Sequence, residues 1–373
     1  MFNENAYYYT IGTNHTTDKL KAILIAEQTK QPIKFHIPKF LHTFPMHVEP
    51  EEDLKTLCVR HAKNLRQDND YLRLWFSGGC DSTYMLDIFV DNNIHIDEII
   101  TTKSGIHEAD WEIDQVAIPY INSIKHRIPK TKISIPSQSI DDYKDWYKNE
   151  YWFENYEKIG RSSKNFSGIR LNEKLESINL HDNNMKTVNI VGLDKPFLIH
   201  VNNEWYTFFL DVNVDFQEGN SDNKFCAFYN DDPFIYTKQC HMLMKAIVKN
   251  LTIDHYNQVC MWGEKYQKLW NSSVGRLDKN SNFIIKQLCP NFKDIDSLNF
   301  KEALGQKFIK ENYPDIFKKF ENGIQNLNNI DNGKWFNRNN AKLGGVGIFA
   351  DFKSLETNST KTVDDLFPNG FKV

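Results

Sequence analysis

The chain has 373 residues, 45 Lys and Arg against 49 Asp and Glu, and a net charge of −4. That length suits about two to three domains, and the charge balance excludes a grip on nucleic acid carried by the whole surface, leaving only local basic patches open. Met1 to Asn5 has no basic segment leading into an apolar one, and no run approaches the roughly eighteen apolar residues of a membrane span, so a soluble, cytosolic protein without a membrane partner is expected. The six cysteines (Cys58, Cys80, Cys226, Cys240, Cys260, Cys289) are scattered without a Cys-x-x-Cys pair, which predicts reduced thiols and no cysteine zinc site.

Residues 1–50 carry Pro32, Pro38, Pro45 and Pro50 among short apolar runs, and read as an N-terminal arm or small β element. Ile33 to Ile37 reads as a strand, whereas Ala22 to Ile25 fits a strand or a helix equally. From Glu51 the pattern becomes helical, with Leu54, Leu57, Cys58, His61 and Leu65 at one-face spacing and Glu51, Glu52 and Asp53 at its start. Arg60, Lys63 and Arg66 on this helix read as a solvated face rather than phosphate contacts.

Tyr71 to Phe76 has the length and residue types of a buried strand, and Tyr84 to Val90 continues at helical spacing. Between them lies Ser77-Gly78-Gly79-Cys80-Asp81-Ser82-Thr83. Amides that open a helix lie outside its own ladder, and the helix dipole favours an anion there. The glycines allow positive φ and close approach of a phosphate. The string Ser-Gly-Gly-x-Asp-Ser in a strand-to-helix turn resembles the signature of the PP-loop ATP pyrophosphatases, or adenine nucleotide alpha-hydrolases. The resemblance is dense over about Leu72 to Val90, weaker to about Phe216 and absent beyond. It implies an α/β fold with a parallel sheet flanked by helices, binding of ATP and Mg²⁺, and cleavage between the α and β phosphates to adenylate a substrate oxygen. By this resemblance Ser77, Gly78, Gly79, Asp81, Ser82 and Thr83 hold the phosphates, with Asp81 also a Mg²⁺ ligand and a catalytic residue.

Asp97 to Thr102 reads as the next parallel strand, completing a βαβ unit. Ligands collect beyond the carboxyl ends of such strands, which puts Thr101 to Gly105 beside the loop and makes Thr102 a nucleotide-binding candidate. Glu108 to Ile124 has a helical period with Pro119 as a kink, and Glu108 or Glu112 could face the ligand as base or metal ligand. Lys132 to Ile135 is a third strand. Asp141 to Lys158 is rich in Tyr and Trp at helical spacing and reads as an amphipathic helix, with base stacking as the functional alternative. Residues 160–184 form a polar connection with Arg161, Lys164 and Arg170.

Thr187 to Val191 is a buried strand ending at Gly192, followed by Asp194 and Lys195 before the turn marked by Pro196. In asparagine synthetase and its relatives a glycine and an aspartate at this place help hold Mg–pyrophosphate, and a lysine stabilises charge in adenylation. The resemblance implies Gly192 as a nucleotide-binding residue, Asp194 as a Mg²⁺ ligand and Lys195 as catalytic, although Lys195 lies nearer than the family lysine. Phe197 to Val201 and Trp205 to Val214 predict a β-hairpin appended to the parallel sheet. Asp232 to Leu277 and Lys301 to Asn322 are helical in pattern, giving domains at 1–50, 51–216 (ATP-binding) and 217–373 (a mainly helical substrate region). Cys240 beside His241, and His255 near Cys260, read as helix packing rather than metal sites. Gly345-Val346-Gly347-Ile348-Phe349-Ala350 fits the dinucleotide pattern formally, but no strand-helix context surrounds it and too little chain follows for a βαβ unit.

The acceptor class is narrowed by comparison with relatives. The catalytic cysteines of tRNA thiolation, the terminal cysteine motif of adenylylsulfate reductases and the zinc cysteines of 7-cyano-7-deazaguanine synthases are missing, and no glutaminase domain fits before the loop. The expectation is therefore an AMP-forming synthetase, nearest to the synthetase domain of asparagine synthetase or to 7-cyano-7-deazaguanine synthase-like proteins, that adenylates a carboxylate or carbonyl oxygen for attack by ammonia or an amine. Its partner is a small-molecule or nucleotide substrate. The alternatives are a nucleotide-binding or sensing module, and an enzyme modifying a nucleic-acid base, which Lys125, Arg127, Lys130 and Lys132 would serve. The acceptor and the oligomeric state are not encoded in any motif.

Overall fold

The computed structural model describes residues 8–16, 19–36, 38, 44–103, 110, 112–137, 185–192, 197–201, 204–209, 223–250, 310–315, 317, 318, 322, 348–351 and 360–362. Three sheets organise them.

The N-terminal layer is a three-stranded antiparallel sheet, β2-β1-β3, built from β1 (Tyr8–Ile11), β2 (Asn14–Thr16) and β3 (Ile33–His36). Gly12, at φ +57°, makes the turn between β1 and β2. Ala22 to Ile25, open to either reading in sequence, lies in helix α1 (Lys19–Thr29). Ala22, Ile23 and Ala26 are fully buried there, a one-face spacing that only a helix produces. Helix α2 (Leu54–Asp68) follows, capped by Asp53, whose Oδ1 accepts the Thr56 N–H at 2.8 Å. Its charged face is engaged in ion pairs, Arg60 with Glu52 at 2.6 Å and Arg66 with Asp97 at 2.5 Å.

The central sheet is five-stranded and wholly parallel. Its strands are β4 (Tyr71–Trp75), β5 (Glu98–Ile100), β6 (Lys132–Ser134), β7 (Thr187–Val191) and β10 (Asn223–Ala227), in the order β10-β7-β4-β5-β6. Side chains alternate between the faces. Leu72, Leu74, Ile99, Val188 and Ile190 lie in the core with Met85, Leu86 and Phe89 of helix α3 (Cys80–Asp91). The opposite face holds a charged network that the apolar look of β4 conceals. Arg73 Nε donates to Glu98 Oε2 at 3.0 Å, and Glu98 also receives Lys132 and the hydroxyls of Ser134 and Tyr71. A carboxylate so buried is tolerable only when paired.

Between β5 and β6 the expected helix is present with an irregular start. Ile113–Ala117 form one π turn, with Ile118 N–H reaching Ile113 O, before α4 (Ile118–Ile124) and a 3₁₀ turn at Lys125–Arg127. Pro119 has no N–H to give to the α ladder, and a widened turn just before it accommodates that loss.

Beyond residue 216 the described residues include strands as well as helix. Strand β10 pairs with β7 inside the parallel sheet, extending that unit past the expected boundary. Helix α5 (Pro233–Asn250) follows, its start held by Asp232 Oδ1 accepting from Phe234 and Ile235 N–H at 2.9 Å. The hairpin forms as β8 (Phe197–Val201) and β9 (Glu204–Phe209), but it joins a separate antiparallel sheet rather than the parallel one. Its neighbours there are β11 (Ile348–Asp351) and β12 (Thr360–Thr362). The apolar half of the formal dinucleotide pattern is thus the start of a strand, not of a helix. Thr207 Oγ1 and Tyr236 Oη meet at 2.7 Å, docking the hairpin on α5. Among the described residues no helix is long and apolar enough to cross a membrane.

Candidate functional site

The strand order places a topological switch point between β4 and β7: the chain runs outward from β4 through β5 and β6, then resumes on the other side with β7 and β10. In open parallel sheets the crevice at that point, beyond the carboxyl ends of the strands, is where ligands bind. Ser77 to Thr83 follows β4 and Gly192 follows β7, so both predicted walls meet there.

Each glycine answers to a different constraint. Gly78 has φ +83°, and a β-carbon on it would lie 3.1 Å from Ala117 Cβ and N, so conformation and the π turn together exclude a side chain. Gly79 is the N-cap of α3, and its hypothetical β-carbon would lie 4.0 Å from Glu112 Oε1. Glu112, one of the two acidic candidates preceding α4, is therefore at the loop, while Glu108 lies outside the described residues. At Gly192 the constraint is space alone: a β-carbon would be 3.0 Å from both N and Cα of Ser82.

The hydroxyls of Ser77, Ser82 and Thr83 bond within the loop. Ser82, only 5% exposed, donates to Gly79 O at 3.0 Å, accepts from Ser77 N–H at 3.3 Å and meets Ser77 Oγ at 3.0 Å. Ser77 Oγ accepts the Gly79 N–H at 3.2 Å, and Thr83 Oγ1 donates to Gly78 O at 3.4 Å. The helix ladder begins with Thr83 N–H to Gly79 O at 2.9 Å. The loop is thus internally bonded with the helix dipole directed at its mouth.

Phe76 N–H bonds to Ile100 O at 2.8 Å, which ties the loop to the end of β5. Beyond it Thr102 is half-buried, and Thr101 is the more notable neighbour: it is 1% exposed and its hydroxyl has no hydrogen-bond partner among the described residues. Lys103 follows, paired with Asp114 at 2.5 Å. Asp81 is half-buried in the first turn of α3. Asp194 and Lys195, together with residues 138–184 and their aromatic stretch, lie outside the described residues. Of the basic residues proposed for nucleic acid, Arg127 pairs with Asp91 at 2.8 Å and Lys132 with Glu98 at 3.0 Å.

Behind the site, sequence reading missed the turn after β10. Phe228 N–H bonds to Val191 O at 3.0 Å, and the buried Tyr229 donates its hydroxyl to Asp81 O at 2.8 Å. No local motif marks Tyr229, because its partner is 148 positions away. Beside it Asp232 Oδ2 stands 3.5 Å from His61 Nδ1, and His61 Nε2 stands 3.6 Å from Cys226 Sγ. These are the residue types of a nucleophile, base and carboxylate, but burial pushes the Cys226 thiol up and holds His61 below its usual value. An enclosed, protonated thiol is inert. Burial likewise pushes Asp231 up to about 7, against the Ala227 N–H and the Cys226 thiol that favour its ionised form. His241 Nε2 lies 2.8 Å from Met46 O and Cys240 Sγ donates to Thr207 Oγ1 at 3.7 Å, so that pair serves packing.

Compared with known proteins, the chain matches no family model and no curated protein sequence.

Proposed function

We propose that the chain is an ATP-dependent, AMP-forming synthetase of the adenine nucleotide alpha-hydrolase type. One observation carries this reading: an internally bonded Ser-Gly-Gly-x-Asp-Ser loop opens α3 at the switch point of a parallel sheet, with Gly192 of the neighbouring strand packed on the same helical turn. Amides at the start of α3 hold the pyrophosphate portion, and the three hydroxyls keep the loop in the shape that aims them. The helix dipole and these amides stabilise charge developing on the leaving pyrophosphate, the largest catalytic term available to such a site.

The described residues fit Mg²⁺ in one manner. No three His, Cys, Asp or Glu residues converge as a protein cage among them, whereas Mg²⁺ in nucleotide sites takes one or two carboxylates and completes its shell with phosphate oxygens and water. Asp81 is the first such carboxylate and Glu112 at the loop a further candidate, with Asp194 proposed beside them from the sequence, and Mg²⁺ would supply neutralisation of the phosphate charge. Lys195 is proposed to neutralise the phosphates, and Thr101 and Thr102 to border the nucleoside. The substrate accepting the adenylate is a small molecule or nucleotide bearing a carboxylate or carbonyl oxygen. Incubation of ATP and Mg²⁺ with panels of acids and amines tests the reading: AMP and pyrophosphate as products support it. Binding of ATP without cleavage under every panel would instead mark a nucleotide-binding or sensing module, and salt-sensitive binding of tRNA or DNA would favour base modification.

A further inference from the structure

The turn joining β10 to α5 is fixed from every side. Ala227 O accepts from Asn230 and Asp231 N–H at 2.8 and 2.9 Å, and Asp231 Oδ2 accepts the Ala227 N–H at 2.9 Å. Phe228 and Tyr229 are fully buried and meet edge to face at 5.1 Å, with the His61 ring also 5.1 Å from Phe228. This closed turn reaches both walls of the site. Through Phe228 N–H it bonds Val191, the residue before Gly192, and through Tyr229 it bonds the carbonyl of Asp81.

We propose that Tyr229 is a positioning residue of the phosphate loop, locking the first turn of α3 against the end of β7. The inference rests on the reading of Ser77 to Thr83 as a phosphate site. The Asp81 carbonyl sits in the helix and has a second lone pair, which the tyrosine hydroxyl takes. Gly192 leaves no room between β7 and the Ser82 backbone, so steric contact prevents approach and the tyrosine bond prevents retreat. The amides of the first turn are thereby held at one distance from the end of β7, and preorganised donors bind an anion without a cost of reordering. A buried phenol placed merely to fill volume would be matched by phenylalanine; here the hydroxyl ends on a backbone atom of the residue assigned to Mg²⁺.

The test is calorimetric titration of Mg–pyrophosphate and Mg–ATP into wild type, Tyr229→Phe and Ile23→Val. Ile23 is fully buried in the N-terminal layer, so its valine variant supplies a comparable loss of stability without touching the site. The inference predicts about fivefold weaker Mg–pyrophosphate binding for Tyr229→Phe, the worth of one hydrogen bond, and unchanged binding for Ile23→Val. Binding by Tyr229→Phe within about twofold of wild type, or equal weakening in both variants, would overturn it. If wild type binds neither ligand, the phosphate-site reading itself falls and takes the inference with it. Hydrogen exchange on wild type covers the case in which the phenylalanine variant does not fold: Mg–pyrophosphate must protect 80–83 and 228–231 together, and protection confined to 80–83 refutes the brace.

Discussion

Replacing Gly192 with alanine adds one carbon at the tightest contact of the site. That carbon would sit 3.0 Å from Ser82 N and Cα and 3.2 Å from Asp81 C, while ordinary carbon contacts lie at about 3.5–4.0 Å. All three obstructing atoms are backbone, so relief requires α3 and β7 to separate by about half an ångström. Overpacking of this kind costs about 1–3 kcal/mol, offset by about 0.4–1 kcal/mol from the stiffer unfolded chain, so a net loss of about 1–2 kcal/mol is expected. The functional loss should be larger than the stability loss suggests. A displaced first turn weakens amides bonded to a charged phosphate, each worth about 1.5–3 kcal/mol, and losing one predicts about 10- to 100-fold weaker Mg–ATP binding. Urea unfolding and calorimetry on the same preparation measure both. A variant with wild-type midpoint and wild-type affinity would show that the two walls do not press on each other, and the reasoning would fail.

Further outcomes follow from other atoms of the site. Asp231 ordinarily titrates at 3.8 and is pushed up to about 7 in the fold, so the folded chain keeps a proton that the unfolded chain has lost between those values. Its contribution to stability is therefore fully present below about pH 4 and lost as pH rises through about 7, and stability of Asp231→Asn relative to wild type should climb by about 4 kcal/mol over that window; parallel pH profiles for the two proteins would contradict this. Ser82→Ala removes the hydroxyl that meets Gly79 O, Ser77 N and Ser77 Oγ, and should weaken Mg–ATP binding about tenfold while costing about 1–3 kcal/mol of stability; unchanged affinity would return Ser82 to the role of an ordinary cap. Glu112→Gln should raise the Mg²⁺ concentration needed for half-maximal pyrophosphate release several-fold with little change in melting temperature, and an unchanged Mg²⁺ dependence would remove Glu112 from the site.

The sequence was most legible where local chemistry dominates. The loop at Ser77 was readable because a strand-length apolar run, two glycines and a helical period adjoin one another, and Gly192 because a strand ended in glycine at the same sheet edge. Ser77, Ser82 and Thr83 were legible as part of the loop, whereas the bonds of Ser82 to Gly79 O, Ser77 N–H and Ser77 Oγ were not, since they depend on the fold of the turn. Long-range pairing was not legible. Strand β10 lies just before the helical pattern that begins at Asp232, and nothing in Asn223–Ala227 announces pairing with β7. The short runs at β1 and β11 likewise become strands only through partners elsewhere in the chain. The pairing of Arg73 with Glu98, each neutralising the other across neighbouring strands, is a relation invisible from either segment alone.

The central claim is that this loop breaks ATP between its α and β phosphates, and following the fate of ATP labelled in the α and γ phosphates tests it most directly. With Mg²⁺ and an acid–amine panel, the account predicts labelled AMP and labelled pyrophosphate from wild type, and loss of both from Asp81→Ala with ATP still bound. Formation of ADP and inorganic phosphate instead, or pyrophosphate release undiminished in Asp81→Ala, would contradict it.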